Sequence, residues 1–135
     1  MRQMAKLWQK MKDRRGQGLV EFALILPIFL LLLLGIVEFG RIISSQMIVS
    51  NASRTGARIA AVQDIEDDAL IETLQNHYSV IAIQVADPVY TPSTRTSGGT
   101  VKVRVSYDVN IYSPVISTIT ENPYTVTSET TMYVE

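Results

Sequence analysis

Residues 16–41 read GQGLVEFALILPIFLLLLLGIVEFGR, and within them the stretch from Phe22 to Val37 carries no charged side chain. Leu19 and Val20 extend it across Glu21, which brings the segment close to the roughly 20 residues that cross a bilayer core of about 30 Å. A core helix of a soluble protein normally keeps a polar face, and this one has none. The stretch predicts a transmembrane helix over 17–40. Pro27 removes the hydrogen bond to the carbonyl of Ala23 and predicts a kink inside it.

Charge on either side orients the span. Arg2, Lys6, Lys10, Lys12, Arg14 and Arg15 precede Gly16 and are opposed there only by Asp13, a net of about +5 against about −6 for the rest of the chain. The positive-inside rule then makes 1–16 a basic cytoplasmic leader, with Trp8 at the inner membrane surface, and puts 41–135 on the other side. A cleaved secretory signal would be shorter in its apolar part and would be followed by a small-x-small cleavage site, which is missing after Gly35. The basic head is too short, and too directly joined to the apolar run, for a nucleic-acid binder.

Residue types exclude other chemistry. With no cysteine, the chain has no disulfide, zinc finger or thiol nucleophile, and with His77 as its one histidine it has no site needing two imidazoles. Asp64, Glu66, Asp67 and Asp68 lack the glycine and distal glutamate of a calcium-binding loop and read as a helix start, with Asp64 as the cap. No metal site, cofactor site or phosphate-binding glycine loop is expected, and an enzyme is not expected either.

Beyond Arg41 the sequence keeps apolar residues at helical intervals, so the first helix should extend over 41–62, a total of about 44 residues and about 65 Å at 1.5 Å per residue. Ala52, Gly56 and Ala60, with Ser53, Ala57 and Ala61 beside them, form a small-residue stripe for helix packing. Its partner is either a helix of another chain or this chain's own sheet. Glu38 and Arg41, three apart, can pair. A second helix is expected over 65–78, with Leu70, Ile71, Leu74 and Tyr78 on its apolar face. The period then changes to two, which predicts strands over about 80–90, 100–112 and 124–134, the first two joined by the turn-rich Thr91 to Thr100. The fold class is α+β: a long N-terminal transmembrane helix continuing outward, a second short helix and a small three-stranded antiparallel sheet with one face on the helix.

The stretch Arg14-Arg15-Gly16-Gln17-Gly18-Leu19-Val20-Glu21-Phe22 resembles the leader junction of the type IV pilin superfamily, where a terminal glycine is followed five residues later by glutamate and then an aromatic. The Glu-Phe pair is similar to the tight-adherence (Flp) branch. Over roughly Gly16 to Leu74, with NASRTGARIAAV and DIEDDALIETL after the apolar run, the chain resembles the TadE-like pseudopilins. That resemblance implies a pilin-like fold and a minor structural or assembly component of the Flp pilus, since the outer part is too large for a major pilin of that branch. It implies processing at Gly16 and Gln17 by a prepilin peptidase of the bacterial inner membrane, with Glu21 and Phe22 serving recognition and assembly. The implied partners are that peptidase, other pilin-like subunits, the pilus assembly platform and the membrane. Independently, a carboxylate just inside an apolar span costs about 2.5 to 3.5 kcal/mol on insertion scales, so Glu21 calls for a partner. The competing reading is an unprocessed, single-pass anchored domain that binds a ligand or partner.

Overall fold

The computed structural model of the chain describes residues 14–114 and 116–135. Most of the basic leader, including Trp8, lies outside the described residues. Helix α1 runs Arg14–Val62 and passes through Pro27. Then come α2 (Asp67–His77), β1 (Gln84–Val85), β2 (Val89–Thr91), β3 (Thr100–Val109), the single turn α3 (Ile116–Ile119) and β4 (Tyr124–Tyr133). The chain divides into two compact units, the first ending at Val37 and the second running Glu38–Glu135.

In the first unit α1 is apolar on all sides and buries nothing, with Leu19, Phe22, Leu24, Ile28 and Leu33 all exposed. By length and composition this is one helix able to cross a membrane.

The second unit has an ordinary core. Val49, Ala52, Ala57 and Ala60 of α1 are buried with Leu70 and Leu74 of α2 and the inward residues of the sheet. In β3 the period of two puts Val101, Val103 and Val105 inside while Lys102 and Arg104 point out. β3 is central and antiparallel to its neighbours. It pairs with β4 along its whole length, from Thr100↔Tyr133 to Val109↔Tyr124, and with β1 and β2 along the other edge.

The sheet has four strands where the alternation predicts three, because the expected strand over 80–90 is divided. Val85 faces Val105 whereas Val89 faces Lys102, so four steps on one side match three on the other. That extra residue is a bulge, and it falls at Asp87-Pro88, where proline supplies no N–H to the ladder. Ala86 N–H still donates to the Arg104 carbonyl at 3.1 Å, which ties the two short strands into one edge. The hairpin between β2 and β3 turns at Gly98, whose φ of +82° suits glycine, and at Gly99, where a Cβ would stand 2.9 Å from the Thr91 carbonyl oxygen.

Helix α2 starts later than expected. Its cap position is Glu66, without a side-chain capping bond, and Asp67 and Asp68 occupy the first turn. Asp64 does not cap it, because its carboxylate pairs with Arg95 of the hairpin at 3.2 Å.

Candidate functional site

Gly16, Gln17, Glu21 and Phe22 all lie on the first turns of α1 and are solvent-exposed. Gly16 and Gly18 have open space where a Cβ would stand. Gln17 and Glu21 are four residues apart on one helix, about one turn or 6 Å of rise. No hydrogen bond or ion pair engages Glu21 among the described side chains. Residues 14–62 are helical, so the Gly16–Gln17 peptide bond lies in helix. Gly16 and Gly18 on either side of Gln17 each weaken the helix by about 1 kcal/mol relative to alanine. Local unwinding there is inexpensive.

Ala52, Gly56 and Ala60 are placed otherwise. All three are buried inside the second unit. A Cβ on Gly56 would lie 2.7 Å from Leu74 Cδ1 and 3.0 Å from Val103 Cγ1, so the stripe admits the chain's own α2 and β3. Next to it, the fully buried Ser53 hydroxyl is within hydrogen-bond distance of Ser128 Oγ at 3.0 Å and Thr130 Oγ1 at 2.9 Å, and of the Ser50 carbonyl, to which it can donate, at 3.0 Å. The small residues give β4 and α2 close access, and the hydroxyls fix which residues of β4 sit opposite.

Among the described residues the most heavily engaged carboxylate is that of Glu38, the first charged residue after the apolar run. It is only 4% exposed. Its Oε1 accepts from the backbone N–H of Tyr112 at 2.7 Å and of Ser113 at 3.1 Å, while Oε2 accepts from Arg41 Nη1 at 2.8 Å. Arg41 also lies over the Tyr112 ring, 4.6 Å from its centre. The helical pair read from the i, i+3 spacing is present, and the two backbone contacts were invisible to that reading. The available signal was a charge placed hard against an apolar run and bracketed by Val37 and Phe39, a position that favours burial only if the carboxylate is satisfied. Beside it lies a cavity of about 230 Å³ lined chiefly by Phe39, Ile42, Ile111, Ile116 and Tyr124. Asn122 closes the segment behind it by bonding both the N–H and the carbonyl of Ile111, at 3.0 and 3.1 Å.

Away from these, Tyr90 donates to Asp67 at 3.1 Å. Burial, helped by that bond to a carboxylate, holds its phenol above the usual tyrosine pKa.

Residues 16–58 are similar to one known family: they match the model described as TadE-like protein. The match begins at Gly16 and ends at Arg58, short of Leu74, so the resemblance holds for α1 and not for α2. No curated protein and no solved structure matches the chain.

Proposed function

We propose that this chain is a minor pilin-like (pseudopilin) component of the tight-adherence Flp pilus machinery, held in the bacterial inner membrane by α1 and cut between Gly16 and Gln17 by a prepilin peptidase. The observation that carries this reading is the TadE-like match starting at Gly16 and running through the exposed apolar part of α1. A helix with apolar side chains all round needs lipid in one state, and in a filament it needs neighbouring helices of the same character. The role is structural, and the partners are the peptidase, other pilin-like subunits and the assembly platform. The leader stays cytoplasmic and the second unit lies outside, an orientation that the charge asymmetry supports.

Glu21 and Phe22 follow the cut at the spacing a pilin-type subunit uses. Cleavage creates an ammonium group on Gln17 one turn from the Glu21 carboxylate. A second reading, an anchored interaction domain that is never cut, draws support from the unbroken helix across the Gly16–Gln17 bond. Amino-terminal sequencing of the protein from hosts with and without the peptidase separates the two. The mature chain should begin at Gln17 only when the peptidase is present, and Gly16→Leu should accumulate at full length. Efficient trimming of Gly16→Leu would overturn the processing step.

A further inference from the structure

Every lysine and arginine of the second unit but two has a carboxylate partner. Arg41 pairs with Glu38, Arg95 with Asp64, and Lys102 and Arg104 share Glu129. Arg54 and Arg58 meet no carboxylate among the described residues, and both are exposed. They stand four residues apart on α1, on the side away from the buried Val49, Ala52 and Ala60. Exposed Met47 and Asn51 continue the same stripe at helical spacing. Like charges at this spacing repel along a helix, so the two arginines weaken α1 with no compensating ion pair inside the described chain.

Helix α2 carries the opposite pattern. Leu70 and Leu74 face the core, while Asp68 and Glu72, again four apart, are exposed and meet no cation among the described residues. Asp68 lies in the first turn, where the helix N-terminus favours a carboxylate, but Glu72 lies beyond it. Their neighbour Asp67, by contrast, is tied to Tyr90.

Residues four apart on a helix are separated by about 6 Å of rise, so the arginine pair and the carboxylate pair have the same spacing. Laid side by side, α1 of one copy and α2 of another can therefore close two ion pairs at once. Exposed ion pairs add little energy each, and what a matched double pair determines is register and choice of partner. Every copy carries both faces, so the contact needs no second kind of protein.

We propose that the face of α1 bearing Arg54 and Arg58 is a docking surface for a second copy of this chain, which presents Asp68 and Glu72 of its own α2. The contact lies wholly between second units, and it rests neither on the membrane span nor on the cut after Gly16.

The test uses the full chain in nonionic detergent, as two differently tagged copies, and exploits the absence of native cysteine. One copy carries Asn51→Cys or Val62→Cys, at the two ends of the arginine stripe, and the other carries Gln75→Cys, just beyond Glu72. Mild oxidation should join the two tags through position 51 where the helices run antiparallel, or through position 62 where they run parallel. The yield should fall several-fold in about 1 M salt, where the Debye length shrinks to about 3 Å. Arg54→Glu with Arg58→Glu in the first copy should lower it similarly, as should Asp68→Lys with Glu72→Lys in the second. Mixing the two reversed copies should restore the disulfide, which also shows that both still fold. A yield untouched by either reversal would overturn the proposal, and so would a loss that the mixed reversal leaves unrepaired. Should a reversed copy melt below wild type, Arg54→Gln with Arg58→Gln replaces it, and a yield indifferent to that neutralisation and to salt counts against the contact equally. No mixed disulfide from either position would sink it too, and would leave the arginines to an acidic surface on some other protein.

Discussion

Glu38 shows how one side chain can join distant parts of a sequence. It binds residues 112 and 113, more than seventy positions away, through hydrogen bonds to backbone N–H groups that no other acceptor serves. Removing the acceptor strands two amides, and each unsatisfied buried donor costs about 1 to 3 kcal/mol. Glu38→Ala should therefore lower the thermal midpoint of the second unit clearly, whereas Glu38→Gln, which keeps one acceptor oxygen but not the charge for Arg41, should lower it less. Circular dichroism melts in detergent check the order, and equal midpoints for Ala and wild type would remove Glu38 from any structural role. Tyr90 makes a smaller statement. Its folded-state pKa lies above the ordinary 10.0, so the folded chain holds the phenol proton more tightly than the unfolded one. The resulting stability is complete below pH about 10 and is lost as pH rises from there through the raised folded value. Tyr90→Phe should flatten that alkaline decline, which urea melts across the alkaline range would show.

At the scale of elements, periodicity carried most of the reading. An uncharged run that outlasts any polar face made α1 legible, and alternation made β3 and β4 legible, because one face of that sheet is buried on a helix and the other is not. The bulge at Asp87-Pro88 was less legible: alternation through Ile81, Ile83 and Val85 reads onward as one strand, and the proline is what interrupts the ladder. The start of α2 was misplaced for a tertiary reason, since Arg95 takes Asp64 away from the helix end and local spacing cannot anticipate a partner 31 residues on. The stripe at Ala52, Gly56 and Ala60 was legible as a close-packing surface but not as to its partner, since small residues admit any element. The structure gives it α2 and the sheet. Gly56→Leu should thus overpack the core at Leu74 and Val103 and destabilise the second unit by about 1 to 3 kcal/mol or more. Gly56→Leu melting like wild type would mean that α2 can move aside, and would reopen the surface for another chain.

For the whole molecule, burial of that stripe leaves the proposed lateral association to the apolar part of α1, where Glu21 is the charge costly to bury. In the full-length chain it stands on an apolar helix with an exposed carboxylate and no partner among the described side chains. Proposed cleavage after Gly16 changes the electrostatics without changing any side chain, because the new ammonium on Gln17 arises one helical turn away. An opposite charge offsets part of the desolvation cost that a carboxylate meets in lipid, and a neighbouring subunit can supply the ammonium as well as the same chain can. Supplied by a neighbour, the pair sets the axial register of one subunit against the next. Glu21→Gln should consequently insert normally and be cut normally, yet fail to support pilus assembly, and Glu21→Asp, with its shorter reach, should assemble fewer pili. Mass analysis of the mature terminus belongs with the assay, since cyclisation of Gln17 to pyroglutamate removes the amine's charge. Should Glu21→Gln assemble pili at the wild-type level on a free amino terminus, the ion pair is not what aligns the subunits, and register must come from the shape of the apolar helix alone.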